Sequence, residues 1–456
     1  MVRVEAQVAR GTGSSFLNAS RARPSLALAG AAGLAGWAGV IVIAHLWGRQ
    51  IIDAGTRIQL GPGAGAPPIV GEVDLRLGLR ILPALALATV GVAWAPTLAV
   101  RLGWRRLLAA AALGSAAFAV VLAVIDPGGL TRPLLGRGEY LHDVVRVGSP
   151  LRFLEGFTDR LPTYNTHTQG HPPGMVLLLW LLDRAGLGGA TGAATLVIAG
   201  GAAAVPAALV AIRAVAGEAP ARAAAPFLVL APAAIWVASS ADGLYMGVVA
   251  AGIALLALAG ASRGRSADLL AAGAGLVLGA ACFLSYGAVL AAPIAGGVAL
   301  AQRRVRPLVV AAGAGLAVGV AFAAAGFWWP DGLAATRQAY VAGVASRRPY
   351  GYFLVANLAA LALVVGPAAA VALSRLLTAR PFPPATARLG LVVGGAAAAV
   401  LLADLSGLSK GEVERIWLFF TPWLLAATAL LHSSRAWLGL HAGMALALAV
   451  TVRTPW

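Results

Sequence analysis

Residues Ser25 to Trp47 read SLALAGAAGLAGWAGVIVIAHLW, with no Asp, Glu, Lys or Arg among them. At about 1.5 Å per helical residue, this run is long enough to cross the roughly 30 Å of a bilayer's hydrocarbon. Apolar runs of similar length recur to the end of the 456-residue chain, which is 60% hydrophobic and only 11% charged. In lipid, only helices and closed barrels satisfy their own backbone, and the short alternating segments of a barrel are absent. The expected fold class is all-α: a polytopic transmembrane helical bundle of about thirteen crossings with a structured first large outer loop.

Net charge is +17, carried by 34 basic residues against 17 acids. The arginines sit in short connections between apolar runs, the placement that insertion topology requires, so a nucleic-acid partner is set aside. The lone Cys282 lies in an apolar run and excludes a disulfide framework. Met1 to Pro24 holds four arginines and no apolar core, and reads as a cytosolic tail, residues 1–24, before an uncleaved first helix. No repeat or low-complexity linker divides the remainder, so residues 25–456 are expected to form a single transmembrane domain. The Ala, Gly and Arg usage fits a bacterial plasma membrane protein.

Arginine placement orients the chain. With the tail inside, Ser25–Trp47 exits, Leu79–Val100 returns to a basic turn at Arg101, Arg105 and Arg106, and Leu107–Ile125 exits again. Residues 126–171 then form a large loop on the outer face. The basic connections Arg213/Arg222, Arg263/Arg265, Arg303/Arg304/Arg306 and Arg375/Arg380/Arg388 belong inside. That leaves one net crossing between His171 and Arg213, so the short Pro172–Leu182 piece is interfacial or re-entrant. Ala267 to Ala301 reads as a hairpin broken near Ser285-Tyr286-Gly287. Among the acids, only Glu5, Glu218 and Asp268 fall clearly inside, so the outer surface is the acidic one.

Titratable groups concentrate in that outer loop. The stretch Gly136 to Gly174, GRGEYLHDVVRVGSPLRFLEGFTDRLPTYNTHTQGHPPG, holds three of the six histidines (His142, His167, His171) and four of the acids (Glu139, Asp143, Glu155, Asp159). Glu139 and Asp143 are four apart; on a helix both carboxylates share a face with His142 beside them. Two such acids raise one pKa or hold a cation between them, and either use suits a base that deprotonates a sugar hydroxyl. A solvated surface pair is the plain alternative. His171 opens HPPG where the chain re-enters the membrane, with His167 on the same lip; an ordinary interfacial histidine is the alternative. Asp242, in SSADGLY, stands at a turn near bilayer depth and either finds a partner or caps its helix.

A second outer patch, residues 404–415, contains Lys410, the only lysine of the chain, followed by Glu412, Glu414 and Arg415. Lys410 and Arg415 can hold a phosphate, with Glu412 and Glu414 orienting them; a salt-bridged turn is the alternative. Arg347 and Arg348 also fall outside, against the charge rule, and offer an anionic headgroup contact or simple anchoring beside Tyr350.

These residues resemble the GT-C superfamily of membrane glycosyltransferases, in particular its protein O-mannosyltransferase and aminoarabinose-transferase branch and the actinobacterial mannosyl- and arabinofuranosyltransferases of the cell envelope. The likeness lies in the acidic pair of the first large outer loop, the HPPG entering a short helix, the later outer-turn Asp and a late K-x-E-x-x-R pattern, and spans roughly residues 107–431. It implies a polyprenyl-phosphate sugar donor used on the outer face. Glu139 and Asp143 would act as base or hold a divalent cation (Mg or Mn), and no other cofactor is implied. His171 would open the HPP motif, Asp242 would be the later acid, and Lys410 with Arg415 would contact the donor phosphate. Two departures stand out: two extra helices precede the loop, and the acids are spaced E-x-x-x-D.

The expected function is thus an inverting glycosyltransferase, with Asp143 ahead of Glu139 as base and His142, His167, Asp242, Arg347, Arg348, Lys410, Glu412, Glu414 and Arg415 binding substrate. Its partners would be the lipid-linked donor, membrane lipids and a glycan, lipid or protein acceptor. A transporter or flippase of a lipid-linked or anionic solute is the rival; it calls for charges buried in mid-span. A non-enzymatic scaffold has no need of clustered loop histidines and acids.

Overall fold

The computed structural model describes residues 23–61, 63–378, 383–432 and 434–456; the expected tail lies outside the described residues apart from its last two positions. Ten helices in the described residues are long and apolar enough to cross a membrane: Leu26–Asp53, Leu79–Arg101, Trp104–Ala123, Gly189–Ala216, Asp242–Ala261, Gly264–Leu284, Arg306–Ala324, Tyr350–Thr378, Pro384–Leu405 and Val413–Leu431. The fold is an all-α polytopic bundle.

The three further spans of the expected thirteen are present as shorter or interrupted helices. The Ala223–Ser239 piece is split into helices Glu218–Val229 and Ala234–Val237, with Pro226 inside the first and Pro232 between them. Tyr286–Gln302 and the 17-residue Arg435–Thr451 are the other two. The hairpin break falls where expected: Ser285 is extended (φ −147°, ψ 131°), and the helix before it ends at Leu284. The piece after His171 is an 11-residue helix, Gly174–Arg184, too short to span.

Because lipid tails are as apolar as leucine, helices in a membrane associate through close van der Waals contact, which small residues permit. The abundant glycine serves that purpose. A Cβ at Gly247 would stand 2.0 Å from the Gly200 carbonyl oxygen, and one at Gly275 would stand 2.0 Å from that of Ala311. Helix Asp242–Ala261 therefore lies backbone to backbone on Gly189–Ala216, and Gly264–Leu284 on Arg306–Ala324. Gly366 (φ 73°) followed by Pro367 kinks helix Tyr350–Thr378 in mid-course.

Charge sorts to the two ends of the bundle. At one end, Arg222 donates to the carbonyls of Ala99 (2.6 Å) and Leu102 (2.9 Å), while Glu218 pairs with both Arg222 and Arg213. Gln302 ties Ala257 to that end (2.8 Å), and Arg306 pairs with Asp268 at 2.9 Å. At the far end of helix Asp242–Ala261, 20 residues and so about 30 Å away, lies Asp242 with the 126–171 loop around it. That loop has its own core: Phe157 stacks on Tyr164 (5.2 Å between centroids) and meets Phe327 edge-on at 5.6 Å. Tyr140, Phe153, Leu161, Met175 and Val176 join it, packed onto Leu244 and Tyr245 of the bundle. A two-stranded antiparallel ribbon, Glu72–Val73 with Val452–Arg453, ties the chain's end to the same side. Asp126 receives Arg76 (2.7 Å) and Arg453 (3.2 Å) beneath it.

Candidate functional site

The site is built around Arg415, which begins near the start of a buried span and is only 5% exposed. Its Nη1 donates to Asp242 Oδ2 at 3.0 Å; its Nη2 donates to Glu412 Oε2 at 2.7 Å and meets His167 Nε2 at 3.2 Å. A guanidinium can only donate, so His167 Nε2 accepts and its Nδ1–H is left to donate. That second bond reaches Glu139 Oε1 at 2.8 Å. One arginine thereby links the first loop, the start of helix Asp242–Ala261 and the late loop, and a histidine passes its orientation on to a carboxylate. Oε2 of Glu139 meets no protein donor among the described residues.

Local chemistry explains why each group sits there. Asp242 is the first residue of its helix but caps nothing; its carboxylate accepts from Ser240 Oγ (2.5 Å) and Arg415. The late loop turns through Gly411 (φ 88°) and Glu412 (φ 64°), two successive residues in the left-handed region, which aims the Glu412 side chain back at Arg415 and Arg348. Asn357 holds that turn, donating to Asp404 Oδ1 (2.9 Å) and the Ser409 carbonyl (2.6 Å) and accepting from the Gly411 amide at 3.1 Å. Arg348, buried, donates to the Lys410 carbonyl and reaches Glu412 Oε1 at 3.4 Å. The Trp456 ring covers the Arg415 guanidinium at 4.6 Å, a cation–π contact.

Burial alone would push the Glu412 carboxyl up, but Arg415 and Arg348, with His167, more than offset it and hold it below the usual range. His171 lies between the rings of Tyr140 (5.6 Å) and Tyr245 (5.7 Å), its Nδ1 against the His167 carbonyl at 2.9 Å. Burial lowers its pKa to about 4, with Asp242 opposing, so it stands neutral at pH 7. Tyr245 donates to Tyr140 at 3.1 Å; burial first, then the neighbouring Tyr245 and Asp242, raise the Tyr140 phenol, which stays protonated.

Seven expected residues are thus brought together: Glu139, His167, His171, Asp242, Arg348, Glu412 and Arg415, with the Lys410 backbone at their edge. The expected Glu139–Asp143 pair is not formed. The helix there is only Leu141–Val144, so Glu139 precedes it and the two do not share a helical face. Asp143, fully buried, accepts from the Asn165 amide (2.9 Å) and pairs with Arg146 at 3.2 Å. With one acid held by His167 and the other by Arg146 and Asn165, the two do not fit a shared cation. Among the described residues, no group of three or more His, Cys, Asp and Glu side chains is placed to hold a metal. His142 is exposed and bonds the Leu135 and Gly136 carbonyls instead of flanking the acids. Arg347 is exposed, and Glu414 is buried without an ion pair among the described residues. Lys410 Nζ lies 3.4 Å from the Ala345 carbonyl and pairs with no acid among the described residues.

Sequence reasoning passed over Tyr140, Ser240, Tyr245, Asn357 and Trp456. Tyr140 and Ser240 stand beside residues already singled out, a signal that was readable. Trp456 had none, since its approach to Arg415 depends on the ribbon that carries the chain's end back.

No family model matches the chain. No curated protein matches it either. A solved structure of an Archaeoglobus fulgidus oligosaccharyltransferase, in complex with zinc and sulfate, is similar at 15% identity and a TM-score of 0.43, over 77% of this chain and 54% of that one. The chain thus spans about half the length of that protein, and neither residue roles nor activity transfer from it.

Proposed function

We propose that this chain is an inverting glycosyltransferase of a bacterial plasma membrane. It would move a sugar from a polyprenyl-phosphate donor to an acceptor hydroxyl on the outer face, the side of the 126–171 and 404–415 loops. The observation that carries the reading is the Arg415–His167–Glu139 chain, a carboxylate oriented by a histidine that is itself oriented by a third group. Glu139 takes the acceptor's proton on Oε2, the acceptor oxygen bonds to the anomeric carbon, and the bond from that carbon to the phosphate oxygen breaks. The lipid phosphate leaves with the electron pair, and attack opposite the leaving group inverts the centre. Lys410, half-exposed and without a carboxylate partner among the described residues, is the cation left free for that phosphate; Arg348 and Arg347 stand beside it. Both terminal nitrogens of Arg415 are engaged, so its role is to position His167, Asp242 and Glu412. Asp143 gives way to Glu139 as base because it has no exposed surface.

Support against the transporter reading comes from where buried charge lies. Asp242, Asp404, Glu414 and Arg415 all stand within the first or last turn of their spans. The test is sugar transfer from a short polyprenyl-phosphate donor by purified enzyme, comparing E139Q with D143N. Loss of a general base costs about 10²–10⁴-fold in kcat, and E139Q should show that loss at unchanged donor binding while D143N keeps most activity. Equal transfer by E139Q and the parent overturns the assignment.

A further inference from the structure

The arginine-rich end of the bundle, opposite the Arg415 cluster, holds a cavity of about 690 Å³ that the proposed reaction does not use. It lies between helix Leu82–Arg101, helix Glu218–Val229 and the start of helix Arg435–Thr451, and Pro96, Thr97, Val100, Arg222, His432 and Arg435 line it. Two features define what it accepts. Its wall is basic: Arg435 donates through Nε to the Ala93 carbonyl (3.2 Å) and through Nη2 to Thr97 Oγ1 (3.2 Å). Its Nη1 has no partner, and no carboxylate pairs with it, among the described residues. Glu218, at the start of the adjoining helix, has one oxygen on Arg222 (2.6 Å) and the other on Arg213 (2.9 Å), so its charge is already taken. From Leu75 to Ile125 the chain has no acid at all, while Arg101, Arg105 and Arg106 lie at this end.

The other feature is an open side toward lipid. Val100, which lines the cavity, is 73% exposed, and Trp94, two turns back on the same helix, is 61% exposed. Val100, one residue before the helix ends at Arg101, stands at the hydrocarbon boundary, with Trp94 about 9 Å deeper in the lipid. An open pocket with one unpartnered guanidinium nitrogen, on the exposed Arg435, and an apolar rim matches an amphiphile whose polar part is an anion.

We propose that this cavity binds the phosphodiester headgroup of an anionic membrane phospholipid, with Arg435 as the principal contact and the acyl chains running along the Val100 face. Arg222 closes the inner wall and, being committed to backbone carbonyls, contributes charge without turning to the ligand.

The experiment is retention of phosphatidylglycerol against phosphatidylcholine by the delipidated full chain, read by native mass spectrometry. One surface arginine is expected to favour the anionic lipid about fivefold. R435Q should abolish that preference. So should A219E, which sets a carboxylate on the exposed lining without removing any contact, and thermal unfolding without lipid checks that both variants fold. R101Q, which removes a charge from the same end but outside the cavity, should keep the preference. Equal retention of the two lipids by the parent chain refutes the site, as does an equal drop in R101Q, which would reflect the charge of the whole end. Displacement of the lipid by excess inorganic phosphate would assign the cavity to a soluble phosphate and overturn the lipid assignment.

Discussion

Replacing Arg415 by methionine keeps most of the side-chain volume and removes the cation on which the candidate site converges. The side chains of Arg415 and Asp242 are 6% and 5% exposed, so the substitution strands a carboxylate where water cannot reach it. Asp242 would keep only Ser240, whereas Glu412 would keep Arg348 at 3.4 Å. Breaking a buried pair by removing one partner costs about 3–5 kcal/mol. Loss of the hydrogen bond to His167 adds about 1 kcal/mol, so R415M should lose about 4–6 kcal/mol in unfolding by SDS titration in mixed micelles. Most of that is the stranded charge and not a missing contact. D242N/R415M, which also removes the stranded carboxylate, should therefore recover about 2–3 kcal/mol of the loss. A loss under about 1 kcal/mol in R415M, or a double variant no more stable than the single one, would refute the argument.

Gly247 lies against the Gly200 backbone, which cannot shift as a flexible side chain can, so G247A should destabilise by about 1–3 kcal/mol in the same titration. G36A, with no atom within 4 Å of the new Cβ, is the matched control and should be neutral. His171 is held near pKa about 4 in the folded chain, against about 6.5 when unfolded. Below pH 6.5 the unfolded chain therefore binds a proton that the folded chain refuses. Stability should be complete above that pH and fall by about 2–3 kcal/mol between pH 6.5 and 4, allowing for the ring's partly open rim. H171Q should flatten that part of the stability–pH profile, and an unchanged slope would remove His171 as its source.

Much of this molecule is legible in its sequence because the bilayer is so restrictive a solvent. Runs such as Ser25–Trp47 must be helical there, whatever their neighbours, since no other local structure satisfies the backbone. The break at Ser285 and the short helix after His171 follow from length and composition in the same way. Arginine placement likewise separated the end holding Arg213, Arg222 and Arg306 from the end holding His167 and Asp242, because charges avoid the hydrocarbon whichever way helices pack.

What the one-dimensional pattern cannot supply is which polar groups meet. Spacing put Glu139 and Asp143 on one helical face, yet that helix is only four residues long and Asp143, buried, accepts from the Asn165 amide. Glu139 goes instead to His167, 28 positions on, and Arg415 joins Asp242 from 173 positions away. Nothing local favours either contact. Both form because the packed helices bring three loop segments to one end of the bundle, where a buried charge is tolerated only beside an opposite one. Composition and periodicity therefore determined the helices and the end of the bundle on which the site stands. The partners of each charged side chain were decided by tertiary packing.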